Sequence, residues 1–145
     1  MTTSAVHLLD VNLAFALLDE AHIHHPAATA WFETPRLRWS LCAFTEAGIL
    51  RLLTRTKALN LPMQQATGML HSLKQQPGYR YQPIPADWET LTKPFARRLH
   101  GHNQVTDAFL LGLAIREGLV LTTFDKALLH LAGEHKKHVL VLGAE

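Results

Sequence analysis

Short apolar runs of period two alternate along the chain with longer stretches of period near 3.6, the pattern of strands and helices in turn. Ala5-Val-His-Leu-Leu9 reads as a buried strand ending at Asp10-Val-Asn12, where Asn12 can cap a helix from Leu13 to Glu20. After a polar loop, Ala21 to His25, Pro26 suits the first turn of a second helix reaching Glu33. Leu37, Trp39 and Leu41 alternate with Arg36 and Arg38, which predicts a strand over 36–41. A helix from about Ala43 to Arg55 follows, with Glu46 in its first turns, and another runs from Asn60-Leu-Pro62 to about Gln75 before Pro77-Gly78 breaks it. Tyr79 to Ile84 alternates like a strand, and Pro83 confines it to a sheet edge. Asp87 opens a helical region that Pro94 interrupts and Gly101 ends.

The stretch from Asn103 to Asp125 organises the rest. Ala108 to Ile115 is apolar on every side, as a buried helix requires, and Gly118 is a natural stop. Leu119 to Thr123 then has the pattern of a buried strand. A helix of roughly 14 residues spans about 20 Å, and a five-residue strand returns about 16 Å of it. The start of the helix and the end of the strand therefore meet at one edge, with Asp107 at the first and Asp125 just past the second. Lys126 to Leu131 suits a further helix, and a basic turn from Glu134 to His138 leads into a last strand, Val139 to Leu142. Strands alternating with helices predict a single α/β domain over 1–145, with a mostly parallel sheet of four or five strands.

In such a sheet, sites form outside the carboxyl ends of the strands. Asp10 ends the first strand, Glu46 opens the helix leaving the second, and Asp107 and Asp125 flank the fourth. Singly, each is ordinary capping or turn chemistry. Together they are not, because two like charges about 5 Å apart repel by roughly 3 kcal/mol at an effective dielectric of 20. Protons or cations must offset that charge, and an all-carboxylate set suits Mg²⁺ or Mn²⁺. One or two such ions can drive hydrolysis of a phosphodiester.

Composition narrows the field further. An apolar fraction of 48% and a charged fraction of 18% describe a globular chain. The lone Cys42 excludes an internal disulfide and suits a reducing, cytoplasmic setting as a small core residue. No apolar run is long enough for a membrane span, and Asp10 interrupts any signal-like segment. A net charge of +2 with ten histidines is a mild pointer to an anionic partner.

Leu-Leu-Asp10-Val-Asn12, Thr-Glu46, Thr-Asp107-Ala and Leu-Thr-Thr-Phe-Asp125-Lys, in this order, resemble a PIN domain, most closely the VapC-type toxin ribonucleases of toxin–antitoxin pairs. The resemblance covers essentially the whole chain. It implies a Rossmann-like three-layer fold and a Mg²⁺- or Mn²⁺-dependent endoribonuclease held silent by a cognate antitoxin, with a homodimer also expected. By position, Asp10, Glu46, Asp107 and Asp125 would be the catalytic, metal-holding acids, and Asn12, Thr106 and Thr123 the polar residues that support them. Leu128 stands where the family more often has Phe, a packing difference.

Other features compete for attention. His22-Ile-His24-His25 lacks a partner Cys or a helical His pair, so a solvated loop is the simpler reading, although one imidazole could lie near substrate. Arg97, Arg98, His100 and His102 precede the Asp107 helix, either as phosphate contacts or as a solvated face. Trp31, Phe32 and Trp88 suit core or interface better than base stacking; Trp31 and Phe32 are candidates for an antitoxin groove. A haloacid-dehalogenase-class phosphohydrolase also begins with an acid after its first strand, but usually wants a second Asp where Asn12 stands. A nuclease acting on DNA stays open, because carboxylates and metal do not see the 2′-hydroxyl.

Overall fold

The computed structural model describes residues 5–55 and 59–143; the expected domain span of 1–145 also includes residues outside these. Five strands form one sheet in the order β3-β2-β1-β4-β5, every neighbouring pair parallel. They are β1 (Val6–Leu9), β2 (Arg38–Leu41), β3 (Tyr79–Tyr81), β4 (Val120–Thr123) and β5 (Val139–Val141). The helices are α1 (Val11–Leu18), α2 (His25–Phe32), α3 (Ala43–Arg55), α4 (Met63–Lys74), α5 (Trp88–Thr92), α6 (Val105–Glu117) and α7 (Ala127–Ala132). Short 3-10 stretches lie at Lys93–Arg98, His102–Gln104 and Gly133–His138.

Alternation along β1 divides the core between two layers. Val6 and Leu8 join Leu121, Val139 and the α6 residues Leu110, Leu111 and Leu113 on one face of the sheet. Leu9 turns the other way, to Trp39, Leu41, Leu13 of α1, Ile49 and Leu53 of α3 and Leu70 of α4. Helices thus cover both faces, as a parallel sheet demands, and the arrangement is the expected three-layer α/β fold. Trp39 and Cys42 are both fully buried. Helix α6 buries almost its whole central turn, from Ala108 through Ala114, and stops at Gly118, whose φ of 69° is a left-handed cap.

From β1 the chain proceeds to β2 on one side, while β4 pairs on the other, with Leu9 opposite Thr122. The sheet order therefore switches direction between β1 and β4, and a crevice opens there at the carboxyl ends of the strands.

Two details differ from expectation. Helix α1 starts at Val11, directly after the strand, so Asp10 and not Asn12 is its cap. The predicted strand over 79–84 ends at Tyr81. It does lie at the sheet edge, and the buried Gln82 beyond it spends its side-chain amide on the Pro83 carbonyl at 2.8 Å and on Glu117 at 3.2 Å.

Candidate active site

Asp10 leaves β1 pointing inward, only 5% exposed. One carboxylate oxygen accepts the Leu13 amide at 2.7 Å, and the other accepts the Thr123 hydroxyl at 2.5 Å. The same Thr123 oxygen accepts the Asp125 backbone amide at 3.0 Å. A single buried hydroxyl thus ties the end of β1 to the turn after β4. Asp125 itself is exposed and accepts the amide of Ala127 at 2.9 Å, at the head of α7. Asp107 approaches from the first turn of α6.

These carboxylates act on one another. Burial pushes Asp10 up to about 6, with a smaller push from Asp125, against the two hydrogen bonds from Thr123 and Leu13 that favour its charged form. Asp107 is also pushed up to about 6, first by burial and then by the charges of Asp10 and Asp125. Among the described residues no hydrogen bond relieves Asp107. Two acids pushed up to about 6 in one crevice mark a place where negative charge has been concentrated at a cost.

The crevice has a volume of about 470 Å³ and is lined by Asp10, Asp107 and Asp125, by Asn12, Asn103 and Thr106, and along its α3 wall by Phe44, Gly48, Arg51 and Arg55. Asn12 and Thr106 reach it as exposed side chains, while Thr123 is buried beneath. Glu46 is not among the lining residues; its carboxylate pairs with Lys74 Nζ of α4 at 2.5 Å. Three of the four expected acids line one crevice, and the fourth is paired with a lysine outside it.

The histidine loop serves its own geometry. The His25 Nδ1 proton goes to the Ala16 carbonyl at 2.7 Å, His22 Nδ1 accepts the His24 amide at 3.0 Å, and the His24 ring stacks on Phe124 with centroids 4.3 Å apart. Arg98 caps α7 through the carbonyls of Leu131 and Ala132, at 2.8 and 3.0 Å. Its guanidinium is thereby taken, whereas Arg97 is exposed. Trp88 donates to the Val105 carbonyl at 3.2 Å, Trp31 packs on His7 and Phe32 on Trp39.

The PIN-domain family profile matches residues 7–134, the whole span from β1 through the acids to the turn before β5. The chain belongs to the PIN-domain family. Within it, the relatives are VapC-type. Ribonuclease VapC38 of Mycobacterium tuberculosis is 38% identical over 133 residues, 90% of this chain and 92% of that protein. Ribonuclease VapC44 of the same species is 35% identical over 141 residues, 93% and 98% of the two chains. Among solved structures, VapBC2 of Rickettsia felis bound to a promoter DNA fragment superposes with a TM-score of 0.68 at 12% identity, covering 94% of this chain and 98% of that one. VapC20 of M. tuberculosis, described as a toxin that cleaves the sarcin–ricin loop, gives 0.64 at 17%, covering 88% and 95%. At these identities the superpositions speak for the fold alone.

In this PIN domain, sequence reasoning missed the α3 wall. Phe44, Gly48, Arg51 and Arg55 follow one another at helical spacings of four, three and four, which places them on one face. That spacing was legible; that the face looks into the acid crevice was not.

Proposed function

We propose that this PIN domain is a divalent-metal-dependent endoribonuclease that cleaves RNA phosphodiesters, and the toxin of a toxin–antitoxin pair. The observation that carries the reading is the convergence of Asp10, Asp107 and Asp125 on one crevice at the sheet's switch point. Oxygen donors, burial, mutual repulsion and an Asp107 carboxylate without a hydrogen bond among the described residues suit a hard cation such as Mg²⁺ or Mn²⁺. Among the described residues no three His, Cys, Asp or Glu side chains lie close enough together to hold a metal ion as they stand, so the three acids share the crevice lining without forming a ready ligand set. A bound cation would supply the positive charge that activates water and offsets charge developing on the phosphodiester.

The chain's own residues do the rest. Asp10 is fixed by Thr123 and the Leu13 amide, so its orientation is set before any ligand arrives. Asp107 and Asp125 face it from α6 and the β4 turn. Glu46 completes the set by sequence position, and its arrival requires the ion pair with Lys74 to open. Asn12 and Thr106 offer neutral polar contacts at the mouth; Asn12 cannot donate a proton as a carboxylic acid would, which counts against phosphomonoester chemistry.

The VapC-type relatives support the toxin role and an antitoxin partner. For that partner we assign an apolar groove between α1 and α2 on one side and α4 on the other, lined by Leu17, Leu18, Phe32, Met69 and Leu73. It fits the apolar stripe of an amphipathic helix. Of the two side chains named as candidates for such a groove, Phe32 lines it and Trp31 does not. A homodimer is also proposed.

Purified protein incubated with total RNA in Mg²⁺, Mn²⁺ or EDTA tests the reading. Cleavage in metal that EDTA stops and Asp107→Asn abolishes, with the variant still folded, is expected. Undiminished cleavage by a clean preparation of that variant would place the chemistry elsewhere.

A further inference from the structure

Arg51 and Arg55 line the crevice beside three carboxylates, yet neither is ion-paired among the described residues. Both are exposed on α3, one turn apart. Two turns before Arg51, Phe44 lines the same wall, 39% exposed and supported from one side by Phe109, with ring centroids 4.9 Å apart. From Phe44 to Arg55 this wall extends about 16 Å at 1.5 Å per residue. A Cβ on Gly48 would lie 2.8 Å from a Val11 methyl, so α3 is pressed against the head of α1, which Asp10 caps.

Cations that leave neighbouring acids unneutralised are available to negative charge from outside. An aromatic face open at one end of the row adds a platform for a base. Phosphates at one-turn spacing with an unpaired base beside them describe a single strand; a duplex keeps its bases stacked inside. Resting on the ribonuclease reading, we propose that α3 is the rail for single-stranded RNA: Phe44 stacks an unpaired base, and Arg51 and Arg55 hold the backbone phosphates leading away from it.

The test uses an unstructured oligoribonucleotide and its duplex. Binding is measured in EDTA in an Asp107→Asn background, where no turnover occurs, and cleavage in Mn²⁺ in the otherwise unaltered protein. Arg51→Ala with Arg55→Ala should weaken single-strand binding about tenfold or more and flatten the slope of log affinity against log salt by about 1.4, or roughly 0.7 for each phosphate no longer neutralised. Lysine at both positions should restore the slope. Phe44→Ala should weaken single-strand binding about tenfold, leave the salt slope unchanged, and leave duplex binding as it was. In cleavage, all three changes should raise KM more than they lower kcat. A parent that cleaves RNA while these variants bind and cleave as it does would overturn the rail and leave the ribonuclease reading standing. A parent that neither binds nor cleaves RNA in Mn²⁺ would overturn both.

Discussion

At the residue scale, Asp107 is the clean probe, because burial and then the neighbouring charges disfavour its charged form and no hydrogen bond among the described residues holds it. Its folded-state pKa lies above the ordinary value, so the folded protein keeps this proton to higher pH than the unfolded chain does. Metal-free stability therefore falls as pH rises from about 4 to about 6 and then levels off. Asp107→Asn escapes that loss. In EDTA its melting temperature should match the parent's at pH 4 and exceed it above pH 7; a variant that melts lower at pH 8 would mean the acid is unstrained. Excess Mn²⁺ should stabilise the parent more than the variant, and this response should fade below pH 6, where Asp107 must first lose its proton. Thr123→Val has the opposite sign: it strips a hydrogen bond from Asp10 and an acceptor from the Asp125 amide. It should cost about 1–3 kcal/mol in denaturant unfolding. Asp10, Asp107 and Asp125 were legible because strand ends and helix starts are local signals. The tie from Glu46 to Lys74 was not, because it depends on how α3 packs against α4.

At the element scale, α4 offers a test of the groove. A Cβ on Gly68 would meet nothing within 4 Å, and this exposed residue lines the groove beside Met69. Gly68→Ala should thus stabilise the free protein by up to about 1 kcal/mol, as expected for a glycine in a helix interior. Gly68→Phe should fill the groove, leave RNA cleavage intact and abolish co-purification of the antitoxin. Unchanged capture of that protein by Gly68→Phe would move the interface off this face. Helices and strands were legible from periodicity, and the edge position of β3 from Pro83. Where one element passes directly into the next, the boundary was not: β1 runs into α1 without a loop, so Asp10 caps the helix two positions before the expected Asn12.

At the scale of the whole molecule, the strand order converts a linear series of acids into a site. Alternating elements predict a parallel sheet; they leave open which strands are neighbours, and only the switch between β1 and β4 brings Asp10 beside Asp125. Leu121 of β4 is fully buried opposite Leu8 of β1. Leu121→Ala should cost about 2–5 kcal/mol in urea unfolding. Cleavage should fall in proportion to the fraction unfolded; full activity from a preparation shown to be half unfolded would separate site from sheet.

The hydroxyl of Thr123 reaches Asp10 across 113 residues of chain. Synthesis at roughly 5–20 residues per second separates those two groups by on the order of ten seconds. During that interval the nascent chain already carries Asp10 and the helices that line the groove, while its crevice lacks Asp125 and the hydroxyl that orients Asp10. The groove on α1, α2 and α4 is therefore synthesised before the crevice can close. A partner that recognises the groove can bind before the acids of the crevice are assembled.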